Sequence, residues 1–252
     1  MPLPYGYTVA AAQYSAIRGD IHANLDTHMR MAEMAASAGV DFLVFPELSV
    51  TGYELDLADS LQTTADDPAF MPLHTFASQH DMRVMAGVPL KAASGKPYVG
   101  SLIFGGTAPI PYNKVHVHDS EAPYFQPDNK VGLIEHKGAK LGLAICADLN
   151  HASHAARAAE HGADLYAASA LISESGYARE AKMLEGYARE HQMAVLLANY
   201  ATQSGSYIPP GGSAIWAPGG EQIALIDDTR EALVTATYTE AGWSSEIMGL
   251  DS

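Results

Sequence analysis

Cysteine is nearly missing: the chain of 252 residues carries one, Cys146. A single thiol cannot form an internal disulfide, so nothing ties the fold to an oxidising compartment. Basic residues are scarce as well. Lys and Arg total 14 against 29 Asp and Glu, a formal net charge of −15, and a surface of that sign repels phosphate backbones. Nucleic acid is therefore not expected as a partner. No apolar run is longer than a strand, so no membrane span is expected. The opening residues, MPLPYGYTVAAAQYS, lack a basic stretch followed by a long apolar one, which leaves the cytoplasm as the expected compartment. Linker-like composition is also absent. The only Gly/Ser/Pro cluster, SGSYIPPGG, reads as a loop at a pocket rim, so residues 1–252 are expected to form one domain.

What is present is a globular composition, 48% hydrophobic and 17% charged. Strand-length apolar runs alternate with helical patterns. TVAAAQYSA reads as a buried strand. GDIHANLDTHMRMAEMAASAGVD reads as a helix capped by Asp20 and closed at Gly39, and FLVF follows as a strand buried on both faces. Asp67 before Pro68 opens the next helix, and RVMAGVPL, YVGSLIFGG and APIPYNKVHVH read as strands. The second half runs in the same order: KLGLAI, a helix closing at Gly162, LYAASA, a long helix over SESGYAREAKMLEGYAREHQM, then AVLLANY, GGSAIWAP, QIALI and EALVTATY as strands. AGVDFLVFPE is similar to HGADLYAASA, and QHDMRVMAGVP to EHQMAVLLANY. Either the chain repeats internally or both pairs reflect ordinary helix-to-strand turns; the order argues for two sheet halves in one domain with helices outside.

Three stretches share one design. FLVFPELSVTGY delivers Glu47 just after a buried strand, PYNKVHVH places Lys114 inside an apolar strand, and LGLAICADL brings Cys146 to the end of another. Strand ends in α/β folds are where ligand crevices form, and charged groups there are costly to bury unless paired. Two such groups of opposite sign and a lone thiol suggest one shared site. An amide carbonyl resists water; a thiolate attacks it far better, but a free thiol is mostly protonated at neutral pH. A carboxylate in a poorly solvated pocket is a stronger base and can take the thiol proton, while an ammonium can hold the oxyanion.

FPELSVTGY, NKVHVHDSEAPYF and GLAICADLNHASHA together resemble the three signature regions of the nitrilase, or carbon–nitrogen hydrolase, superfamily. MLEGYAREHQMAVLLANY and GGSAIWAPGGE resemble its later blocks, so the resemblance spans nearly the whole chain. It implies an α/β fold, a four-layer α-β-β-α sandwich, with Glu47 as general base, Lys114 as electrostatic stabiliser, Cys146 as nucleophile and Glu121 as an additional glutamate beside them. It implies a small-molecule amide as substrate and no metal or organic cofactor. Tyr53, Ala147, Asn150 and His151 are the expected substrate-binding residues, with the backbone N–H of Ala147 assisting the oxyanion. His116 and His118, expected on one face of a strand, suggest a metal site on their own. They follow a lysine that the family uses in catalysis without metal, and no metal is expected.

The residues after Cys146 narrow the chemistry. Nitrile-hydrolysing members carry Cys-Trp-Glu, where this chain has Cys146, Ala147 and Asp148, which favours amides. Members acting on N-carbamoyl amino acids place an arginine shortly after the cysteine; here the first is Arg157, although Arg179 is a candidate to reach the pocket from another strand end. The expectation is an amidase releasing ammonia or an amine and a carboxylic acid. The alternatives are an N-carbamoyl amine amidohydrolase, a nitrilase, or a silent binding scaffold. The small-residue helix SHAARAAEHGA suits close helix contact, and a homodimer or higher homo-oligomer is expected. Trp243, Ile247 and Met248 near the C-terminus either dock on a partner subunit or pack on their own domain.

Overall fold

Two stacked β-sheets, each covered by a pair of helices, build the molecule, a computed structural model that describes residues 3–250. In chain order the elements are β1 (Thr8–Gln13), α1 (Ile21–Ser37), β2 (Phe42–Val44), α2 (Met71–Gln79), β3 (Arg83–Leu90), β4 (Tyr98–Phe104), β5 (Ile110–Asn113), β6 (Gly132–His136), β7 (Ala139–Ile145), α3 (Ala152–Glu160), β8 (Leu165–Ser169), α4 (Glu174–His191), β9 (Ala194–Ala198), β10 (Ala214–Trp216), β11 (Gln222–Leu225), β12 (Ala232–Thr239) and β13 (Gly242–Gly249). The first sheet has the order β13-β12-β1-β2-β3-β4-β5 and the second β11-β10-β9-β8-β7-β6. Helices α1 and α2 lie on the first sheet, α3 and α4 on the second, and β1 faces β9 while β2 faces β8 across the middle. This is the expected four-layer α-β-β-α sandwich.

The internal repeat is structural. Strands β1, β2, β3 and β4 occupy the same sheet positions as β7, β8, β9 and β10. In each half the helix ends at a glycine with positive φ, Gly39 (+70°) or Gly162 (+81°), a conformation that glycine adopts without strain. Two residues later an aspartate caps the neighbouring strand: Asp41 Oδ2 accepts from Thr8 N, and Asp164 Oδ2 from Lys140 N, both at 2.8 Å. The next helix in each half ends in a left-handed residue, Asp81 (+47°) or Gln192 (+52°), followed by a fully buried methionine, Met82 or Met193.

Strands β1, β2, β8 and β9 are buried on both faces, which explains their continuous apolar runs with many alanines: each is sandwiched between a helix layer and the other sheet. Helix α1 starts where expected, with the Asp20 side chain accepting from Ala23 N at 3.1 Å. Met31 is buried, and Met29 and Met34 pack against the core.

Three expectations need correction. The strand expected over APIPYNKVHVH stops at Asn113, so Lys114 lies just beyond it, and His116 and His118 share no strand face. The Lys114 N–H still reaches Val99 O at 2.8 Å, but the next two N–H groups turn to the Asp148 carboxylate, which ends the sheet pairing. Strands β6 and β13 were not anticipated. In β13 the residues are mostly exposed, and the strand forms by pairing with β12 along its whole length. The C-terminal residues thus build an edge of their own sheet, where Trp243 and Met248 pack on the core and Ile247 is exposed. Residues 1, 2, 251 and 252 of the expected domain lie outside the described residues. Among the described residues, no helix is long and apolar enough to cross a membrane.

Candidate active site

The first sheet supplies two carboxylates and a cation. Beyond β2 the chain turns sharply at Leu48, which takes φ +50°, and this turn carries Glu47 into the interior at 0% exposure. Its backbone passes so close to β3 that a Cβ on Gly87 would sit 2.1 Å from Leu48 N, so only glycine fits. The Tyr200 hydroxyl, just past β9 in the second sheet, donates to Glu47 O at 2.7 Å and ties the turn across the sandwich.

Lys114 is also fully buried. Its Nζ lies 2.6 Å from Glu47 Oε1, 2.7 Å from Glu121 Oε1 and 2.9 Å from Glu121 Oε2. Glu121 is held in turn by His118 N (2.7 Å) and the Tyr53 hydroxyl (2.7 Å). All three ammonium donors thus meet carboxylate oxygens, the condition under which a buried charge persists.

The second sheet supplies the thiol. Cys146 follows β7 directly and opens a short 3₁₀ turn, Cys146–Asn150, with φ +38°. A non-glycine residue in this region costs on the order of 1–3 kcal/mol and persists only where its surroundings enforce it. The half-buried thiol donates weakly to Leu171 O at 3.6 Å.

Electrostatics follow from this crowding. Burial drives the Glu47 carboxyl up to about 8, against the pull of the Lys114 ammonium and with reinforcement from Glu121. Burial alone would lower the Lys114 pKa, but Glu47, Cys146 and Glu121 more than offset it, and the ammonium stays charged. Burial and the Glu47 charge push the Cys146 thiol well above its ordinary range, so the sulfur rests as a protonated thiol beside a carboxyl of raised basicity.

A cavity of about 470 Å³ opens on Cys146 and is also lined by Tyr53, Glu121, Ala147 and Asn150. Four of the expected site residues thus share a wall with the thiol, while Glu47 and Lys114 are buried and contribute no lining surface. The outer wall includes Arg179, Glu180 and Tyr207; the last comes from the loop expected at a pocket rim. Arg179 reaches the cavity from α4, not from a strand end, and its guanidinium pairs with Glu180 at 3.0 Å. His151 is displaced from expectation: it lines a neighbouring groove that also borders Ala147 and Asn150, and its ring stacks on His116 at 3.7 Å between centroids.

The residue that sequence reasoning undervalued is Asp148. It is fully buried and accepts from Val115 N, His116 N, His116 Nδ1, Ile145 N and the Tyr112 hydroxyl. Its position two residues past the only cysteine, inside an apolar run, was the available signal.

Comparison with known proteins gives the following. Residues 8–245 match the carbon-nitrogen hydrolase family. The chain is 25% identical over 211 residues to a probable nitrilase of Schizosaccharomyces pombe, covering 81% of this chain and 77% of that protein. It is 26% identical over 237 residues to the omega-amidase NIT2 of Bos taurus, covering 89% and 84%. In fold it is similar to a mutant amidase from Nesterenkonia sp. AN1, solved with the acetamide moiety of fluoroacetamide added covalently at its active-site cysteine. The TM-score is 0.84 at 21% identity, over 95% of this chain and 93% of that one.

Proposed function

The chain belongs to the carbon–nitrogen hydrolase family and is therefore a hydrolase, and on that premise we propose that it cleaves the C–N bond of a small non-peptide amide through a thioester on Cys146. The observation that carries this reading is the buried Glu47–Lys114–Glu121 cluster meeting a lone thiol at the wall of a cavity.

In the first half-reaction Glu47 takes the Cys146 proton while Sγ bonds to the amide carbon. The carbonyl π electrons move to oxygen, and the oxyanion is held by the Ala147 N–H and by the Lys114 ammonium, through the donor that Glu47 relinquishes as it becomes protonated. Losing one such donor typically costs about 2.7–4 kcal/mol of transition-state stabilisation. The oxyanion collapses, the C–N bond breaks, and the nitrogen leaves with the proton from Glu47 as ammonia or an amine. In the second half, Glu47 takes a proton from water as its oxygen attacks the thioester carbon. The C–S bond breaks, the acid leaves, and the proton returns to Sγ. Glu121 holds the Lys114 ammonium through both of its oxygens and keeps it oriented. The protons come from the thiol and from the attacking water, and Glu47 relays both, so the scheme needs no metal or organic cofactor.

Amide hydrolysis is favoured over nitrile hydrolysis by Ala147 and Asp148 after the nucleophile, and by similarity to an omega-amidase and an amidase. A carbamoyl substrate would use the same residues and release carbon dioxide as well as ammonia. A screen of amides, N-carbamoyl amines and nitriles for ammonia release, with carbon dioxide measured and the intact mass of the protein followed, separates these outcomes. At least one amide should release ammonia and leave its acyl mass on Cys146, and Cys146→Ala should abolish both. Turnover by Cys146→Ala, or a thiol no more reactive toward iodoacetamide than a free one with no acyl adduct from any amide, overturns the reading.

A further inference from the structure

The nucleophile and its charged partners come from different sheets. Glu47 and Lys114 follow β2 and β5 of the seven-stranded sheet, whereas Cys146 follows β7 of the six-stranded one. Something must fix the offset between the two, because a displacement of about 1 Å can lower an enzymatic rate about 10²-fold.

The carboxylate of Asp148 spans that gap. Its Oδ1 accepts from the segment that follows Lys114: His116 N at 2.8 Å, Val115 N at 3.2 Å and His116 Nδ1 at 3.1 Å. Its Oδ2 accepts from Ile145 N, the residue before Cys146, at 3.0 Å, and from the Tyr112 hydroxyl at 3.2 Å. His154 Nε2 lies 3.7 Å from the same oxygen. One oxygen thus holds the lysine segment and the other the cysteine turn, with no solvent exposure at either.

Burial alone would favour the neutral acid, but the His116 hydrogen bond, the nearby His154 and the N–H groups of Ile145 and His116 keep the carboxyl below its ordinary range. As an acceptor-only group with two oxygens it matches donors on both sides, which a side-chain amide cannot do.

We propose that Asp148 is a positioning residue that sets Lys114 against Cys146 by clasping the two sheets beneath the active site. The inference rests on the proposed thiol chemistry. It predicts that Asp148→Asn, whose NH₂ must face one set of N–H donors, releases one anchor and leaves the cavity wall intact.

The test measures kcat and KM on the amide turned over fastest by the wild type, together with the iodoacetamide alkylation rate of Cys146, the only thiol. Asp148→Asn should lower kcat by about 10²-fold with KM within about threefold, and slow alkylation by at least about tenfold, with a cooperative melt retained. Tyr112→Phe, which removes a bond to Asp148 but neither backbone anchor, should stay within about threefold of wild type on each measure. If no amide turns over in the wild type, the functional reading fails, while alkylation still tests the clasp. Asp148→Ser serves as a second variant should Asp148→Asn not melt cooperatively. Near wild-type rates in the Asp148 variants, an equal loss in Tyr112→Phe, or failure of both Asp148 variants to fold would overturn the proposal. The last outcome would make Asp148 a folding residue.

Discussion

Glu47 grips Lys114 with only one of its oxygens: Oε1 lies 2.6 Å from Nζ, whereas Oε2 is buried and makes no hydrogen bond within the described residues. A buried acceptor left unmatched costs on the order of 1–3 kcal/mol. The Cys146 thiol is the neighbouring acidic hydrogen. In the proposed mechanism the two oxygens divide the labour, one fixing the carboxylate and the other taking the proton in transit.

This division gives a pH dependence. Glu47 accepts the thiol proton only when ionised, and burial raises its carboxyl to about 8. Amide kcat/KM should therefore rise as pH increases through about 8 and flatten above it. The midpoint belongs to Glu47 and Cys146 as an interacting pair. Initial rates from pH 6 to 10 check this; a flat or falling profile counts against it.

Replacing Glu121 should change both the rate and that midpoint. Its charge faces Lys114 at 2.7 Å and raises the Glu47 pKa. Glu121→Gln should lower kcat by about 10²-fold or more, in the range expected when a group tuning proton transfer is lost. The rising limb should also move to lower pH, because a like charge beside Glu47 is gone. A limb moving upward would contradict this assignment.

Gly87 offers a test remote from the chemistry. The smallest added side chain would meet Leu48 N at 2.1 Å. Gly87→Ala should cost about 1–3 kcal/mol of stability by overpacking. It should also reduce kcat beyond the fraction unfolded, since the backbone displaced is the turn that carries Glu47. Thermal melts and kcat measured on the same preparations separate the two effects.

His28 sets an acid limit on the fold. Its ring is fully buried, stacks on Phe45 at 3.9 Å, faces Asn24 O through Nδ1 at 2.6 Å and meets the Ser49 hydroxyl at Nε2. Asn24 O can only accept, so Nδ1 carries the proton and Nε2 accepts from Ser49. Burial lowers the folded pKa from 6.5 to about 4. The unfolded chain therefore binds the proton first: the contribution is intact above about pH 6.5 and is lost as pH falls toward 4, by up to about 3 kcal/mol. Urea titrations across that range should show a shallower decline in His28→Gln than in wild type.

The site was more legible in the sequence than the backbone that builds it. Glu47, Lys114 and Cys146 could be picked out because charge and thiol in apolar surroundings are rare, Glu121 came only from the family resemblance, and all four converge. Tyr53, Ala147 and Asn150 also line the cavity. His151 does not, because stacking on His116 holds it at the next groove. The end of β5 was illegible, since alternation in PYNKVHVH continues past Asn113 and only a distant carboxylate diverts the N–H groups. Strand β13 was hidden for the opposite reason: as an exposed edge it carries little apolar patterning, and its pairing with β12 is set by backbone complementarity. Asp148 looked like a marker of branch because its donors lie 32 and 33 residues away along the chain.

The positive φ of Cys146 has a consequence for the order in which the protein fails. The conformation is disfavoured for any residue with a side chain, so the native surroundings must enforce it continuously. When heat or denaturant loosens those surroundings, this turn should relax before the sheets unpair and carry the thiol out of register with Glu47. Inactivation should therefore precede unfolding, and the lone cysteine becomes a built-in reporter: its exposure to a thiol reagent marks the first local opening of the molecule.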